Sequence, residues 1–185
     1  MKNIPNILTG ARILLIPLFV YLVTLDNMIG AGLVLIISGL TDFLDGRLAR
    51  RFGWVTSLGK VLDPIADKLT QMAVSVCFII KLQKFWGFFA FLIIKELVML
   101  IFGGWLIKKG VKLDGAQWFG KVNTFVFYGV MIAISLIPMQ SDFIIPLLIT
   151  AVACSVFSIL MYIPEFIRCF RKIDKEDVLV NMEKP

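Results

Sequence analysis

Residues Thr41–Thr70 read TDFLDGRLARRFGWVTSLGKVLDPIADKLT and place Asp42, Asp45, Asp63 and Asp67 in a chain that is otherwise strongly apolar. The first two aspartates are three residues apart and the last two are four apart, so each pair lies on one face of its helix. An aspartate at the centre of a membrane helix costs about 2.5 to 3.5 kcal/mol, and less near an interface. Four neighbouring carboxylates in such a setting therefore need a neutralising partner.

The composition establishes that the setting is a membrane. The chain has 185 residues, of which 59% are hydrophobic, and its mean hydropathy is +0.90, which is too apolar for a soluble domain with a polar surface. Because backbone polar groups in lipid must be satisfied within the segment, the prediction is an all-α integral membrane protein. The length allows one domain, residues 1–185, and no nucleic-acid-binding module is recognisable.

Six apolar stretches of membrane-spanning length predict six transmembrane helices, near 7–25, 29–50, 61–82, 86–107, 119–138 and 143–168. An even number of spans places both termini on one side. Lys and Arg cluster in the connectors around 47–60 and 108–121 and in the C-terminal segment, whereas the connectors near 26–28 and 139–142 contain none. The positive-inside rule then predicts cytoplasmic termini in the cell membrane, with the aspartates near the cytoplasmic boundary. Two lysines on the predicted outer side, Lys81 and Lys84, oppose this pattern.

Other chemistry is scarce in the chain. Its three cysteines, Cys77, Cys154 and Cys169, show no pair spacing, and there is no histidine. These features predict neither a disulfide framework nor a zinc site. The N-terminus lacks a short apolar core followed by a cleavage site, so no signal peptide is expected.

A divalent cation is the partner that best suits the aspartates. With oxygen ligands alone the metal should be hard, Mg²⁺ or Mn²⁺, and four carboxylates suit a pair of ions better than one. The alternative is that the aspartates form ion pairs with the neighbouring basic residues, which are Arg47, Arg50, Arg51, Lys60 and Lys68.

Small residues and one arginine surround the acidic faces. Gly46 and Gly59 allow a ligand or a neighbouring helix to approach the backbone closely. Ala49 continues the small-residue face, and Arg50 offers a planar fork of donors suited to phosphate. Metal ions beside an arginine and a narrow groove indicate a diphosphate-binding site.

The pattern Asp42-x-x-Asp45-Gly46-x-x-Ala49-Arg50, followed by Gly59-x-x-x-Asp63-x-x-x-Asp67, resembles the signature of the CDP-alcohol phosphotransferases at every fixed position. The segments Ile4–Thr9 and Gly120–Thr124 extend the resemblance over nearly the whole chain. It implies the six-helix fold of that family and a homodimer. It also implies transfer of a substituted phosphate from a CDP-linked donor, usually CDP-diacylglycerol, to an alcohol, with release of CMP.

The same resemblance implies roles for the signature residues. Asp42 and Asp63 would take part in two metal sites, with Asp45 completing the first and Asp67 the second. Asp67 is also the implied base that takes the proton of the acceptor hydroxyl. The cytidine diphosphate would be held by the small or cationic residues of the signature, which are Gly46, Ala49, Arg50 and Gly59.

A cationic pocket for the acceptor phosphate is expected around Lys95, because a charge inside a membrane helix is a functional hypothesis by default. Arg12 and Lys121 are its expected partners. Glu96 points about 100° away from Lys95 on the helix, so an ion pair between these two neighbours is not expected. The alternative is that Lys95 pairs structurally with Glu96 or with the aspartates.

Within the family, the resemblance is strongest to glycerol-phosphate phosphatidyltransferases, so sn-glycerol 3-phosphate is the expected acceptor. Those enzymes usually have Arg in place of Lys95 and a second basic residue in place of Asn123. Related cardiolipin synthases show a similar Lys-Val-Asn-Thr stretch and accept phosphatidylglycerol, which is the alternative acceptor. A hypothesis from another class is a cation transporter, but its path would require polar residues along the whole bilayer, and the outer halves of the spans lack them.

Overall fold

The computed structural model describes residues 4–52, 59–109 and 118–182, with side chains at 7–44, 63–106, 109 and 118–170. These residues form six α-helices, namely α1 (Ile4–Thr24), α2 (Met28–Phe52), α3 (Gly59–Lys81), α4 (Trp86–Lys108), α5 (Trp118–Leu136) and α6 (Ser141–Met182). One turn of 3₁₀-helix, Gln83–Phe85, joins α3 to α4. No strand occurs within the described ranges, and the all-α prediction is confirmed.

Each predicted span matches one helix, but α6 is much longer than its span. The predicted span ends near 168, in agreement with the apolar segment Ser141–Phe170, and the helix continues beyond it to Met182. The prediction followed hydropathy, which marks only the part of a helix that is apolar enough to lie in the bilayer core. The residues after Pro164 contain neither Gly nor Pro up to Met182, so nothing in their helix propensity ends the helix where the apolar run ends.

Among the residues that the structure describes, four segments are long and apolar enough to cross a membrane, namely Ile7–Thr24, Gln83–Leu106, Trp118–Leu136 and Ser141–Phe170. Helix α2 contributes the shorter apolar segment Met28–Leu44. The C-terminal part of α2 and the N-terminal part of α3 are less apolar because they carry the aspartates and their basic neighbours. Large apolar side chains such as Leu14, Ile80 and Phe125 face outward, as expected for a helix bundle solvated by lipid.

The six helices pack as a closed ring. Helix α1 contacts α2 and α3, α3 contacts α4, α4 contacts α6, α6 contacts α5, and α5 returns to α2. The joint between α2 and α5 is close, because a Cβ on Gly32 would lie 2.7 Å from Cδ2 of Leu136. Between α3 and α4, the rings of Phe78 and Phe89 stack with their centroids 5.6 Å apart.

The interior of the ring is divided along its axis. The half toward Thr24 and Met28 is an apolar core, exemplified by Phe19, Leu35 and Met131. The half toward the start of α1, which we call the polar half, contains the buried polar and charged side chains Thr9, Arg12, Ser38, Gln71, Lys95, Glu96, Asn123 and Ser155. The fold therefore gathers its buried charged side chains at one end of the bundle, whereas a buried hydroxyl such as that of Ser135 also occurs at the other end.

Lys81 at the other end has a local partner. It forms an ion pair with Asp26, which lies in the turn between α1 and α2 and has a positive φ of 58°. This ion pair gives a structural reason for a basic residue on the side of the bundle where the charge pattern predicts few.

Candidate active site

Helix α1 brings the two aspartate-bearing helices together. Thr9 Oγ1 donates a hydrogen bond to Asp63 Oδ1 of α3 at 2.5 Å. Arg12 Nη1 lies 2.8 Å from Asp42 Oδ1 of α2. Because Thr9 and Arg12 are three residues apart on one face of α1, a single helix face fixes a carboxylate from each of the two neighbouring helices.

Asp67 is held differently. Its Oδ2 accepts a hydrogen bond from Gln71 Nε2 at 2.9 Å, and the same nitrogen lies 3.5 Å from Thr124 Oγ1 on α5. Its Oδ1 is buried and has no hydrogen-bond partner within the described part of the chain. A buried carboxylate oxygen without a partner is costly, so this atom is suited to binding a cation.

The three described aspartates fit a metal ion in chemistry. The charge of Asp63 acts on the carboxylate of Asp42, and the charge of Asp42 acts on that of Asp67. All the donors are the hard oxygens that Mg²⁺ and Mn²⁺ prefer. Among the described side chains, no three acidic, His or Cys residues converge on one ion position. The side chain of Asp45, the fourth expected ligand, lies outside the described residues.

The expected nucleotide-binding residues are placed only by their backbone. Gly46, Ala49 and Arg50 lie on the last turns of α2, and Gly59 begins α3. Their surroundings lie outside the described side chains, so their assignment to the cytidine diphosphate stays a prediction.

The prediction that Lys95 and Glu96 do not pair is wrong. Lys95 Nζ contacts Glu96 Oε1 directly, because the four-carbon stem of lysine is long enough to cross the 100° between neighbouring side chains. The other carboxylate oxygen, Oε2, lies 2.5 Å from Lys68 Nζ of α3. Glu96 thus joins two lysines from adjacent helices, and sequence reasoning considered Lys68 only as a partner of the aspartates.

The segment Gly120–Thr124 serves mainly to pack α5 against its neighbours. A Cβ on Gly120 would lie 2.6 Å from the hydroxyl of Tyr162, so only glycine leaves room for that ring. Asn123 Oδ1 accepts a hydrogen bond from Ser155 Oγ at 2.8 Å. Lys121 is exposed, in contrast to Lys95, of which 4% is exposed.

Two further polar residues near Asp67 were missed by sequence reasoning, namely Gln71 and Tyr128. The hydroxyl of Tyr128 lies beside Ser38 and close enough to Asp67 for the two to interact electrostatically. A signal for Gln71 existed in the sequence, since it follows Asp67 at the i, i+4 spacing that places both on one helix face. Tyr128 had no such signal, because its proximity arises from the packing of α5 against α2.

The sequence of this chain is similar to a known protein family and to several named proteins. Residues 2–163 match the family described as CDP-alcohol phosphatidyltransferase. The CDP-diacylglycerol--glycerol-3-phosphate 3-phosphatidyltransferase of Rickettsia typhi is 44% identical over 79 residues, which cover 41% of this chain and 44% of that protein. The enzyme of the same name from Escherichia coli K12 is 34% identical over 128 residues, which cover 66% of this chain and 70% of the relative.

A relative with a different name is similar as well. The cardiolipin synthase (CMP-forming) of Streptomyces coelicolor is 36% identical over 130 residues, which cover 66% of this chain and 60% of that protein. The matched segment thus spans less than half of the Rickettsia protein and well over half of the other two. The family match itself extends over residues 2–163 of the 185 and thus covers all of α1 to α5 and the first half of α6. Because the match covers most of the sequence, this chain belongs to the CDP-alcohol phosphatidyltransferase family.

Proposed function

We propose that this protein acts in phospholipid biosynthesis and transfers the phosphatidyl group of CDP-diacylglycerol to sn-glycerol 3-phosphate, forming phosphatidylglycerol phosphate and CMP. The observation that carries the proposal is the placement of Asp42, Asp63 and Asp67 in the same half of the ring as two lysines, Lys68 and Lys95, that share the carboxylate of Glu96. A phosphoryl transfer to a phosphorylated acceptor needs both features, one for the donor diphosphate and one for the acceptor phosphate.

Members of this family generally use divalent metal ions. We assign two ions, Mg²⁺ or Mn²⁺, to Asp42, Asp45, Asp63 and Asp67. When bound, such ions neutralise a diphosphate and stabilise the charge that develops on the leaving group. The unpartnered Oδ1 of Asp67 supports the assignment, because it is a buried acceptor that lacks a donor among the described residues.

The protein groups account for the remaining steps of the reaction. The acceptor hydroxyl forms a bond to the phosphorus that carries the diacylglycerol, the bond from that phosphorus to the CMP oxygen breaks, and Asp67 takes the hydroxyl proton. Gln71 orients Asp67 through the bond to Oδ2. The cytidine diphosphate is assigned to the end of α2 and the start of α3, where the side chains are small apart from Arg50; these residues are Gly46, Ala49, Arg50 and Gly59.

The acceptor phosphate is assigned to Lys95 and Lys121 with Arg12, which also pairs with Asp42. Lys95 is buried in the polar half, where electrostatic attraction is stronger than in water. The charges of Lys68, Lys95 and Glu96 together leave one excess positive charge for an anion. The relatives named for glycerol 3-phosphate favour this acceptor.

A second acceptor, phosphatidylglycerol, is favoured by two observations. The Streptomyces coelicolor relative is named as a cardiolipin synthase. Asn123 is uncharged and is already bonded to Ser155, so it adds no charge for a dianionic acceptor. The active site is assigned to the cytoplasmic side of the cell membrane, where both termini would also lie, and the chain is assigned to a homodimer on the basis of the family resemblance.

The deciding experiment offers CDP-diacylglycerol and each acceptor separately to the purified full chain and identifies the lipid product by mass. We expect phosphatidylglycerol phosphate from the water-soluble acceptor. Cardiolipin from phosphatidylglycerol, without any phosphatidylglycerol phosphate, would replace the proposed acceptor. Metal uptake into vesicles without any lipid product would instead favour the transporter hypothesis.

A further inference from the structure

Glu96 occupies an unusual position among the charged groups, because one buried carboxylate serves two lysines from different helices. Its Oε1 contacts Lys95 of α4, and its Oε2 lies 2.5 Å from Lys68 of α3. The side chains of Lys95 and Glu96 are 3% and 4% exposed, whereas that of Lys68 is 20% exposed. The three charges sum to one excess positive charge, and Lys68 is the member of the group with an accessible surface.

The surroundings of this group direct Lys68 toward the proposed reaction centre. Lys68 follows Asp67 directly in α3, and its charge acts on that carboxylate. On another side, Tyr162 of α6 lies near both Lys68 and Glu96 and fits against α5 at Gly120. Lys68, which follows Asp67 and is more exposed than Lys95, is therefore the lysine more accessible to an anion beside Asp67.

We propose that Lys68 binds the acceptor phosphate directly and that Glu96 is a positioning residue that holds the Lys68 ammonium in place before the acceptor arrives. Each oxygen of Glu96 holds one lysine, so a phosphate can replace Oε2 on Lys68 while Oε1 stays on Lys95. The Glu96 carboxylate thus stands where an anion is needed to keep Lys68 ordered in the free protein. This inference rests on the proposed function, since it adds a specificity residue to the same acceptor site.

Two possible roles of Glu96 predict opposite effects of neutralising its carboxylate. If Glu96 acted only through its charge, replacing it with neutral Gln would remove a repulsive group and lower the KM for an anionic acceptor. If Glu96 positions Lys68, the same replacement leaves two lysines that repel each other, and the KM rises instead. The sign of the change therefore separates positioning from simple electrostatics.

The test compares Lys68→Met, Glu96→Gln and the control Lys84→Met in the purified full chain. Lys84 is an exposed lysine in the 3₁₀ turn at the opposite end of α3. We expect Lys68→Met and Glu96→Gln each to raise the KM for sn-glycerol 3-phosphate about tenfold or more, with the KM for CDP-diacylglycerol changed less than about twofold. We expect no change in Lys84→Met. An acceptor KM that is unaltered in Lys68→Met, or lowered in Glu96→Gln, would overturn the inference.

A binding measurement separates this inference from the proposed function. Inorganic phosphate should raise the melting temperature of the wild-type protein, and the rise should be lost in Lys68→Met, whether or not the protein turns over glycerol 3-phosphate. A rise that depends on Lys68 in a protein that forms no phosphatidylglycerol phosphate would remove the proposed acceptor and keep the phosphate site. No rise in the wild-type protein would overturn the site itself. If Glu96→Gln does not fold, the Lys68→Met comparison still decides the outcome.

Discussion

At the residue scale, the three described aspartates differ in how their carboxylates are held. Asp42 faces a buried guanidinium and Asp63 accepts a short hydrogen bond from a hydroxyl. Asp67 keeps one buried oxygen without a partner among the described residues. Orientation of carboxylates by neighbouring side chains is typical of metal ligands, because the partner fixes the direction of the lone pairs.

Replacing Asp63 with Asn should abolish turnover, because this carboxylate is assigned to both metal ions and the amide cannot supply its charge. We expect a loss of at least about a hundredfold, measured as product formation with saturating Mg²⁺ or Mn²⁺. Asp142→Asn, at the exposed start of α6, is the matched control and should retain full activity. Full activity of Asp63→Asn after exhaustive chelation would refute the two-metal assignment.

Replacing Thr9 with Val should weaken metal binding without removing a ligand. The change deletes the hydroxyl that donates to Asp63, and the loss of such an orienting partner typically costs about 10- to 100-fold in metal affinity. The measurement is the Mn²⁺ concentration needed for half-maximal binding, and Thr9→Ser, which keeps the hydroxyl, should restore it. Equal Mn²⁺ affinity in the Val and Ser variants would show that the hydrogen bond has no part in the metal site.

At the scale of secondary-structure elements, the ring depends on close helix contacts at a few glycines. Gly32 allows α2 to approach Leu136 and Ser135 of α5. Gly120 does the same for α5 and the ring of Tyr162 on α6. Both glycines lie along the path by which α5 closes the ring between α2 and α6.

Replacing Gly32 with Ala should therefore destabilise the protein. The new Cβ would lie 2.7 Å and 2.9 Å from two atoms of Leu136 and 3.1 Å from the Cβ of Ser135, so α2 and α5 must separate, at a cost of about 1 to 3 kcal/mol. Gly129→Ala is the matched control, because no atom lies within 4 Å of its added Cβ. The check is the melting temperature in detergent, and equal values for the two variants would contradict the close α2–α5 contact.

At the scale of the whole molecule, the division of the ring into a polar and an apolar half sets the depth at which substrates are expected to bind. The acyl chains of a lipid substrate can remain beside the apolar outer surface, while its charged head reaches the polar half. Such a site at a membrane boundary avoids moving either part of an amphipathic substrate into an unfavourable medium.

Both termini and residues near 52 and 112 should face the cytoplasm, as the distribution of Lys and Arg requires. Single cysteines introduced at Asn27 and Gln140, in a chain whose three native cysteines are replaced, should react with a membrane-impermeant reagent added from outside. A cysteine at Lys112 should react only after the membrane is opened. The reverse labelling pattern would place the polar half on the side opposite to that required for cytoplasmic CDP-diacylglycerol.

The sequence by itself determined the number and position of the helices and the identity of the acidic motif. Apolar runs of membrane length are local properties, and so is the spacing that puts Asp63 and Asp67 on one helix face. The predicted sixth span ends close to Phe170, where the apolar segment ends, but only the structure shows that α6 continues to Met182.

Only the tertiary structure decided which side chains meet. The ring order brings α1 against both aspartate helices and α3 against α4, and the contacts of Thr9 with Asp63 and of Lys68 with Glu96 follow from it. The pairing of Lys95 with its neighbour Glu96 was only the alternative, because Cβ directions were considered and the reach of a lysine stem was not. In a low-dielectric interior, each buried charge is stabilised by whichever opposite charge the packing places nearby. That choice depends on the contacts between helices, which no single helix encodes.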